Sequence, residues 1–171
     1  MNASRSIRSV GDFYAHALAI EREAVARYRE FAEHMADHGN EAVASLFASL
    51  AEVEGEHAAA LERRAAGVPV PQLQGWEYSW LDDGPPETVS HDLIFHLMTP
   101  WHALQIALSA ERRAKDFFEH IRNAASDARV RELAEEFMRE EDEHIDWVNR
   151  ALAQAPRPIS WEEDLGRVPP S

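Results

Sequence analysis

Apolar residues recur along most of this chain at alternating intervals of three and four, the spacing that gathers them on one stripe of an α-helix. The first stripe runs through Val10, Tyr14, Ala17, Glu21, Ala24, Tyr28, Phe31 and Met35. Ser9 with Asp12 three residues on resembles a capping box, and Gly39-Asn40 stops the pattern after about His38. A second helix, capped by Asn40, is predicted from Glu41 to about Ala66, ending at Gly67 with Pro69 and Pro71 beyond. Its stripe is Val43, Phe47, Leu50, Glu54, His57 and Leu61. Thr99-Pro100 is a start signal for a third helix to about Ala125, carrying Leu104, Leu108, Glu111, Ala114, Phe118 and Ile121. Ser126 is read as the cap of a fourth, to about Gln154, with Val130, Ala134, Phe137, Glu141, His144 and Val148.

Residues 68–89 combine prolines, glycines and aromatics without a sustained helical period and read as a long connection that packs against the body. Ser90 caps a short helix to about Met98, either separate or a kinked extension of the third. Two helical hairpins joined by one long crossover between the second and third helices predict an all-α, ferritin-like four-helix bundle. Residues 1–155 form its domain and 156–171 a C-terminal tail.

Each stripe is interrupted at mid-helix by a carboxylate: Glu21, Glu54, Glu111 and Glu141. Glu21 precedes Glu54 by 33 residues and Glu111 precedes Glu141 by 30, and the second Glu of each pair has a His three later, His57 and His144. The chain reads as a duplication of one hairpin. Glu-x-x-His alone is a weak signal; two copies in equivalent halves, each with a lone seam Glu on its partner helix, form a specific set. Four unpaired carboxylates in a core would cost several kcal/mol each or be forced to protonate. No Lys or Arg shares these positions. Two divalent cations balance four Glu anions and two neutral imidazoles. The i, i+3 spacing sets each Glu and its His on one helix face. Carboxylate with imidazole suits iron or manganese and also accepts zinc.

The remaining histidines, His16, His34, His38, His91, His96, His102 and His120, lie off these stripes or near helix ends and are read as solvated or incidental. Glu56, Glu140, Asp142 and Glu143 read as a solvated helix face, with Glu140 a candidate for supporting a ligand. Tyr28, one heptad after Glu21, fits equally a core residue and a hydrogen-bond donor to a metal ligand. Beyond the ligands no catalytic residue is singled out.

Composition narrows the classes. The formal charge of −14, from 17 Lys+Arg against 31 Asp+Glu, opposes binding to nucleic acid or anionic lipid. The absence of cysteine excludes disulfides, thiolate zinc sites, iron-sulfur clusters and thiol catalysis. At 171 residues the chain is long enough for one domain with a full core. No 18-residue apolar run exists and the start lacks a signal peptide's apolar stretch, so the expectation is a cytoplasmic protein with no membrane partner. No nucleophile-base set accompanies the carboxylates, which argues against a hydrolase.

These motifs resemble the rubrerythrin-like branch of the ferritin-like di-iron proteins over about residues 9–153. AIEREAVARY, with Glu21 and Tyr28, resembles the first helix of that family, and LAEVEGEHAAAL, with Glu54 and His57, the second. ALSAERRAKDFF supplies Glu111, and FMREEDEHIDWV supplies Glu141 and His144. The resemblance implies two irons bridged by Glu54 and Glu141, and a di-iron oxidoreductase that reduces hydrogen peroxide or oxidises ferrous iron with dioxygen or peroxide. It also implies a homodimer, to which Trp76, Trp80, Trp101, Trp147 and Trp161 could contribute. Two departures stand out. Ala114 occupies the place of an additional rubrerythrin carboxylate, and a chain without cysteine has no rubredoxin domain, so a peroxidase would need a separate electron-donor protein. The alternatives are an iron-storing or iron-buffering protein without turnover, and a helical interaction module with a vestigial site.

Overall fold

A computed structural model of the chain describes residues 7–73 and 97–158. The expected helix from Ser90 falls mainly outside the described residues, as do Trp76, Trp80 and Trp161; Trp101 and Trp147 are within them. The described residues form four long helices, α1 (Val10–Asp37), α2 (Glu41–Arg64), α3 (Pro100–Ala124) and α4 (Ala128–Gln154), with no strand among them. None of these helices is long and apolar enough to cross a membrane.

Local chemistry sets the helix ends. Ser9 and Asp12 form the capping box of α1, the Asp12 amide donating to Ser9 Oγ and the Ser9 amide to Asp12 Oδ2, both at 3.1 Å. Gly39 takes a φ of +72°, a conformation that favours glycine, and so turns the chain into α2. Asn40 accepts from the Val43 amide and also donates to the Met98 carbonyl at 2.7 Å, tying the start of α2 to the approach to α3. Thr99 precedes Pro100 as expected. His102, read above as incidental, belongs to this cap: its Nδ1 accepts from the Thr99 amide at 3.1 Å. The cap of α4 is Asp127 rather than Ser126, because the Asp127 carboxylate reaches the amides of Arg129 and Val130 at 2.7 and 3.3 Å.

The core has two apolar bodies. One gathers Phe13, Leu18, Leu61, Phe118, Val130 and Phe137, with the Phe13, Phe118 and Phe137 rings 5.1 to 5.7 Å apart. The other gathers Tyr28, Met35, Val43, Phe47, Leu104 and Val148. The first body thus takes the early parts of α1 and α4 and the late parts of α2 and α3, while the second takes the opposite ends. It follows that α1 runs parallel to α4, and α2 parallel to α3. The end of α2 and the start of α3 therefore lie at opposite ends of the bundle, whose 24-residue α2 alone is about 36 Å long. The expected single crossover is what this topology requires.

Arg64, near the end of α2, ties that helix to α4. Its guanidinium bonds Glu136 at 2.7 Å and Glu140 at 2.9 Å and lies 4.9 Å from the centre of the Phe137 ring. Glu140 is thus engaged by an arginine and not by the buried layer. Arg22 with Glu62 joins α1 to α2, and Lys115 with Asp142 joins α3 to α4.

The early half of α1 is buried on more than one side, which a single stripe did not anticipate. Phe13, Ala15, His16, Leu18 and Ile20 are buried in addition to the stripe residues. His16 is therefore not solvated: its Nδ1 lies 2.8 Å from the Asp12 carbonyl, and its ring stacks on Phe117 of α3. Gly11 sits beneath the segment that leaves α2, where an added Cβ would come within 2.1 Å of the Pro69 oxygen. Gly55, in mid-α2, faces open space. Gly11→Ala is therefore expected to lose about 1–3 kcal/mol through forced displacement of that segment, whereas Gly55→Ala should gain about 0.5–1 kcal/mol of helix propensity. Thermal melting of both variants checks the pair: a Gly11→Ala melting point at or above the parent's would contradict the packing of residues 68–71 on α1.

Candidate metal centre

Between the two apolar bodies lie Glu21, Glu54, Glu111 and Glu141, one from each helix and all buried. The stripes of three-and-four spacing that bury the flanking phenylalanines and leucines leave these carboxylates nowhere else to point. Ligand atoms of Glu21, Glu54 and His57 lie within 4.8 Å of one another, as do those of Glu111, Glu141 and His144. All six residues singled out by spacing are thus brought together. No other group of acidic and histidine side chains among the described residues comes as close.

The imidazoles connect the two halves. The rings of His57 and His144 stack with centroids 4.4 Å apart and planes 3° apart. His57 Nδ1 lies 3.4 Å from Glu54 Oε2, and His144 Nδ1 lies 3.3 Å from Glu111 Oε2 and 3.5 Å from Glu141 Oε2. Each ring therefore turns the same nitrogen toward its own carboxylates. The histidine side chains are 32% and 23% exposed, so the layer meets solvent where α2 and α4 face each other.

Electrostatics shows what burial does to these acids. Burial raises Glu21 well above the usual carboxylate range, and its hydrogen bond with Glu54 and the charges of Glu54 and Glu141 add to the effect. Burial also acts on Glu54, but hydrogen bonds with His57 and Glu21 and the His57 charge outweigh it and leave that acid lowered. Burial pushes Glu141 up to about 8, with Glu111 adding to the rise and His144 opposing it. Burial would lower His144, yet hydrogen bonds and charges from Glu111 and Glu141 raise it to about 11.

Protons are here filling a role that a cation fills better. Four buried carboxylates with two partly exposed imidazoles, without a Lys or Arg among them, form an oxygen-nitrogen donor set suited to divalent transition metals. The hydroxyl of Tyr28 is also buried and has no hydrogen-bond partner among the described residues. Burial and the charges of Glu111 and Glu54 raise it well above the ordinary phenol range, which keeps it a neutral donor.

The family model for rubrerythrin matches residues 12–70, the span of α1 and α2 with both carboxylates and the first Glu-x-x-His. A crystal structure of an uncharacterized conserved protein from Magnetospirillum magnetotacticum MS-1 is 30% identical, with a TM-score of 0.69, over 89% of this chain and 99% of the other. The chain belongs to the rubrerythrin-like family of ferritin-like di-iron proteins. No match was found among curated proteins. A rubrerythrin-like bundle accounts for the crossover topology as well as for the paired hairpins. In this member Ala114 is buried beside Phe118 in the first apolar body, so the additional carboxylate of a rubrerythrin has no counterpart there.

The pH dependence of the metal-free protein follows from the raised Glu141 and His144. Glu141 rises from 4.5 to about 8, so the stability that its protonated form contributes is complete below pH 4.5 and lost as pH rises through 8. His144 rises from 6.5 to about 11, and its contribution is complete below pH 6.5 and lost toward 11. Both act in one direction. The melting point of metal-free protein should fall from pH 5 to pH 9, and Glu141→Gln should flatten the fall between pH 5 and pH 8. Parallel melting curves for parent and variant across that window would contradict the assignment.

Proposed function

We propose that Glu21, Glu54, His57, Glu111, Glu141 and His144 bind two iron ions, and that the protein is a di-iron oxidoreductase acting on hydrogen peroxide, or on ferrous iron with dioxygen or peroxide. The observation that carries this reading is the meeting of two equivalent carboxylate-histidine clusters at the His57–His144 stack. Each cluster offers an ion two carboxylates and one imidazole, and Glu54 and Glu141 are the residues expected to bridge. An iron pair held by these residues would supply two electrons for the reduction of a peroxide or of dioxygen. The chain's own residues do the rest. The flanking phenylalanines and leucines keep water from the layer, and the acids release their protons as metal binds. The half-exposed imidazoles lie at the route from solvent.

Ala114 favours the second arm of this reading. Without a carboxylate there, the ligand exchange expected of a rubrerythrin peroxidase lacks its extra partner, and slower ferrous oxidation with iron retention fits the residues present. A peroxidase would in addition need a separate protein as electron donor. Manganese or zinc suits the same donors, and metal analysis of protein from its own host ranks them.

Anaerobic reconstitution with ferrous iron should give about two ions per chain, the number the two clusters predict. Glu54→Ala and Glu141→Ala should abolish this stoichiometry, while Glu140→Ala, which removes only a partner of Arg64, should retain it. Rapid mixing of the loaded protein with peroxide then separates the activities: fast oxidation supports a peroxidase, slow oxidation with full retention supports storage. A parent protein that takes up no metal would end both readings.

A further inference from the structure

Each metal cluster belongs to a single hairpin: Glu21, Glu54 and His57 stand on α1 and α2, and Glu111, Glu141 and His144 on α3 and α4. How the two clusters face each other is therefore set by whatever holds one hairpin against the other. The ion pair of Arg22 with Glu62 stays within the first hairpin, and that of Lys115 with Asp142 within the second. Arg64 crosses between them. Its guanidinium leaves α2 and places one nitrogen 2.7 Å from Glu136 and the other 2.9 Å from Glu140 on α4, over the Phe137 ring.

This cross-link lies on the seam of the stacked histidines. Arg64 is seven residues after His57 and Glu140 is four before His144, so each pair shares one face of its helix. Because α2 and α4 run antiparallel, both faces meet along one line, with the His57–His144 stack and the Arg64 fork as successive contacts. A planar fork held by two carboxylates fixes both the spacing and the register of the helices, which a point charge does not. The duplication supplies a comparison. Ala151 stands at the position equivalent to Arg64, and exposed Val53 at that of Glu140, so the seam is pinned on one side of the histidines and has no such fork on the other.

Resting on the di-iron reading above, we propose that Arg64 is a positioning residue: by fixing α4 against α2 it holds the two clusters at the separation at which Glu54 and Glu141 bridge a pair of ions. Without this fork each hairpin keeps its own two carboxylates and imidazole, so a first ion binds at least as well as in the parent. The second ion must then order the hairpins itself, and its binding is weakened accordingly. The direction of the effect is diagnostic. Removing a cation from the neighbourhood of an acidic layer would by itself strengthen binding of a metal ion, so a weaker second step is not a charge effect.

The test titrates ferrous iron anaerobically into the parent, Arg64→Leu and Lys115→Leu, then oxidises each at the iron addition that just fills the parent and records EPR spectra. A bridged ferric pair is exchange-coupled and nearly silent, whereas an isolated high-spin ferric ion gives a signal. Lys115→Leu removes an ion pair whose carboxylate adjoins Glu141 as Glu140 does, but within one hairpin, and should match the parent. Arg64→Leu should still hold about two irons per chain at saturation. Its second ion should bind about tenfold more weakly, and the half-filled sites should show the isolated ferric signal. Parent-like affinity and spectrum in Arg64→Leu would overturn the proposal while leaving the di-iron reading standing. An equal loss in Lys115→Leu would overturn it too, as a general effect of lost ion pairs, and so would an Arg64→Leu protein that binds no iron, since the clusters would then not be self-contained. If Arg64→Leu does not fold, Arg64→Gln carries the same expectations, and failure of both to fold would overturn the proposal by making Arg64 a determinant of folding. A parent that binds no iron ends the di-iron reading and this inference together.

Discussion

Four carboxylates held at the waist of a helical bundle repel one another and resist leaving water, and the rest of this structure is arranged around their need for positive charge. Apolar packing is complete on either side of them: Phe13, Phe118 and Phe137 close one end, and Phe47, Met35 and Val148 the other. That packing supplies the stability that lets the polar layer exist. It also removes the solvent that would otherwise screen Glu21 from Glu54 and Glu111 from Glu141. Burial and the neighbouring carboxylates hold Glu21 well above the usual carboxylate range, while hydrogen bonds from His57 and Glu21 hold Glu54 below it. Two divalent ions would relieve the repulsion fully and with better geometry.

The duplicated hairpin explains why the layer is level. Equivalent helices enter the bundle with opposite sense, α1 against α3 and α2 against α4, so residues at equivalent positions meet near the middle and their neighbours diverge toward opposite ends. His57 and His144 meet there as a stacked pair. Away from the axis the two halves have separate duties. Arg64 of α2 grips Glu136 and Glu140 of α4, while the residue one before Glu54, Val53, stands exposed where Glu140 stands in the other half. The ligands keep the symmetry, and the surfaces do not.

Much of this was legible in the residues themselves. Four stripes with one carboxylate each located the six clustered side chains, because a buried Glu is so costly that its place on an apolar seam is informative. Caps at Ser9 and Asn40 were readable for the same local reason: their side chains accept from amides only three residues away. What escaped was tertiary. His16 looked solvated because nothing in its own helix shows that Phe117 of α3 stacks on it. His102 looked incidental because a ring nitrogen accepting from a cap amide leaves no periodic trace. Ser126 and Asp127 are both good caps, and the choice between them depends on where the inter-helix turn ends. The apolar run from Phe13 to Ile20, broader than one stripe, was the available sign that early α1 is covered on several sides.

The polar layer also decides the register of the bundle. Sliding α2 by one turn along its axis would move Glu54 against the phenylalanines of one apolar body and bring an alanine or leucine to the waist, leaving three carboxylates without a fourth ligand helix. The apolar bodies alone would tolerate such a slip, since leucine, valine and phenylalanine repack at modest cost. The carboxylates do not, because a single displaced Glu would be buried away from both its histidine partners and solvent. A site that is expensive to bury therefore gives specificity in return: the chemistry at the waist selects the one alignment of four similar amphipathic helices in which all four acids face the same two positions.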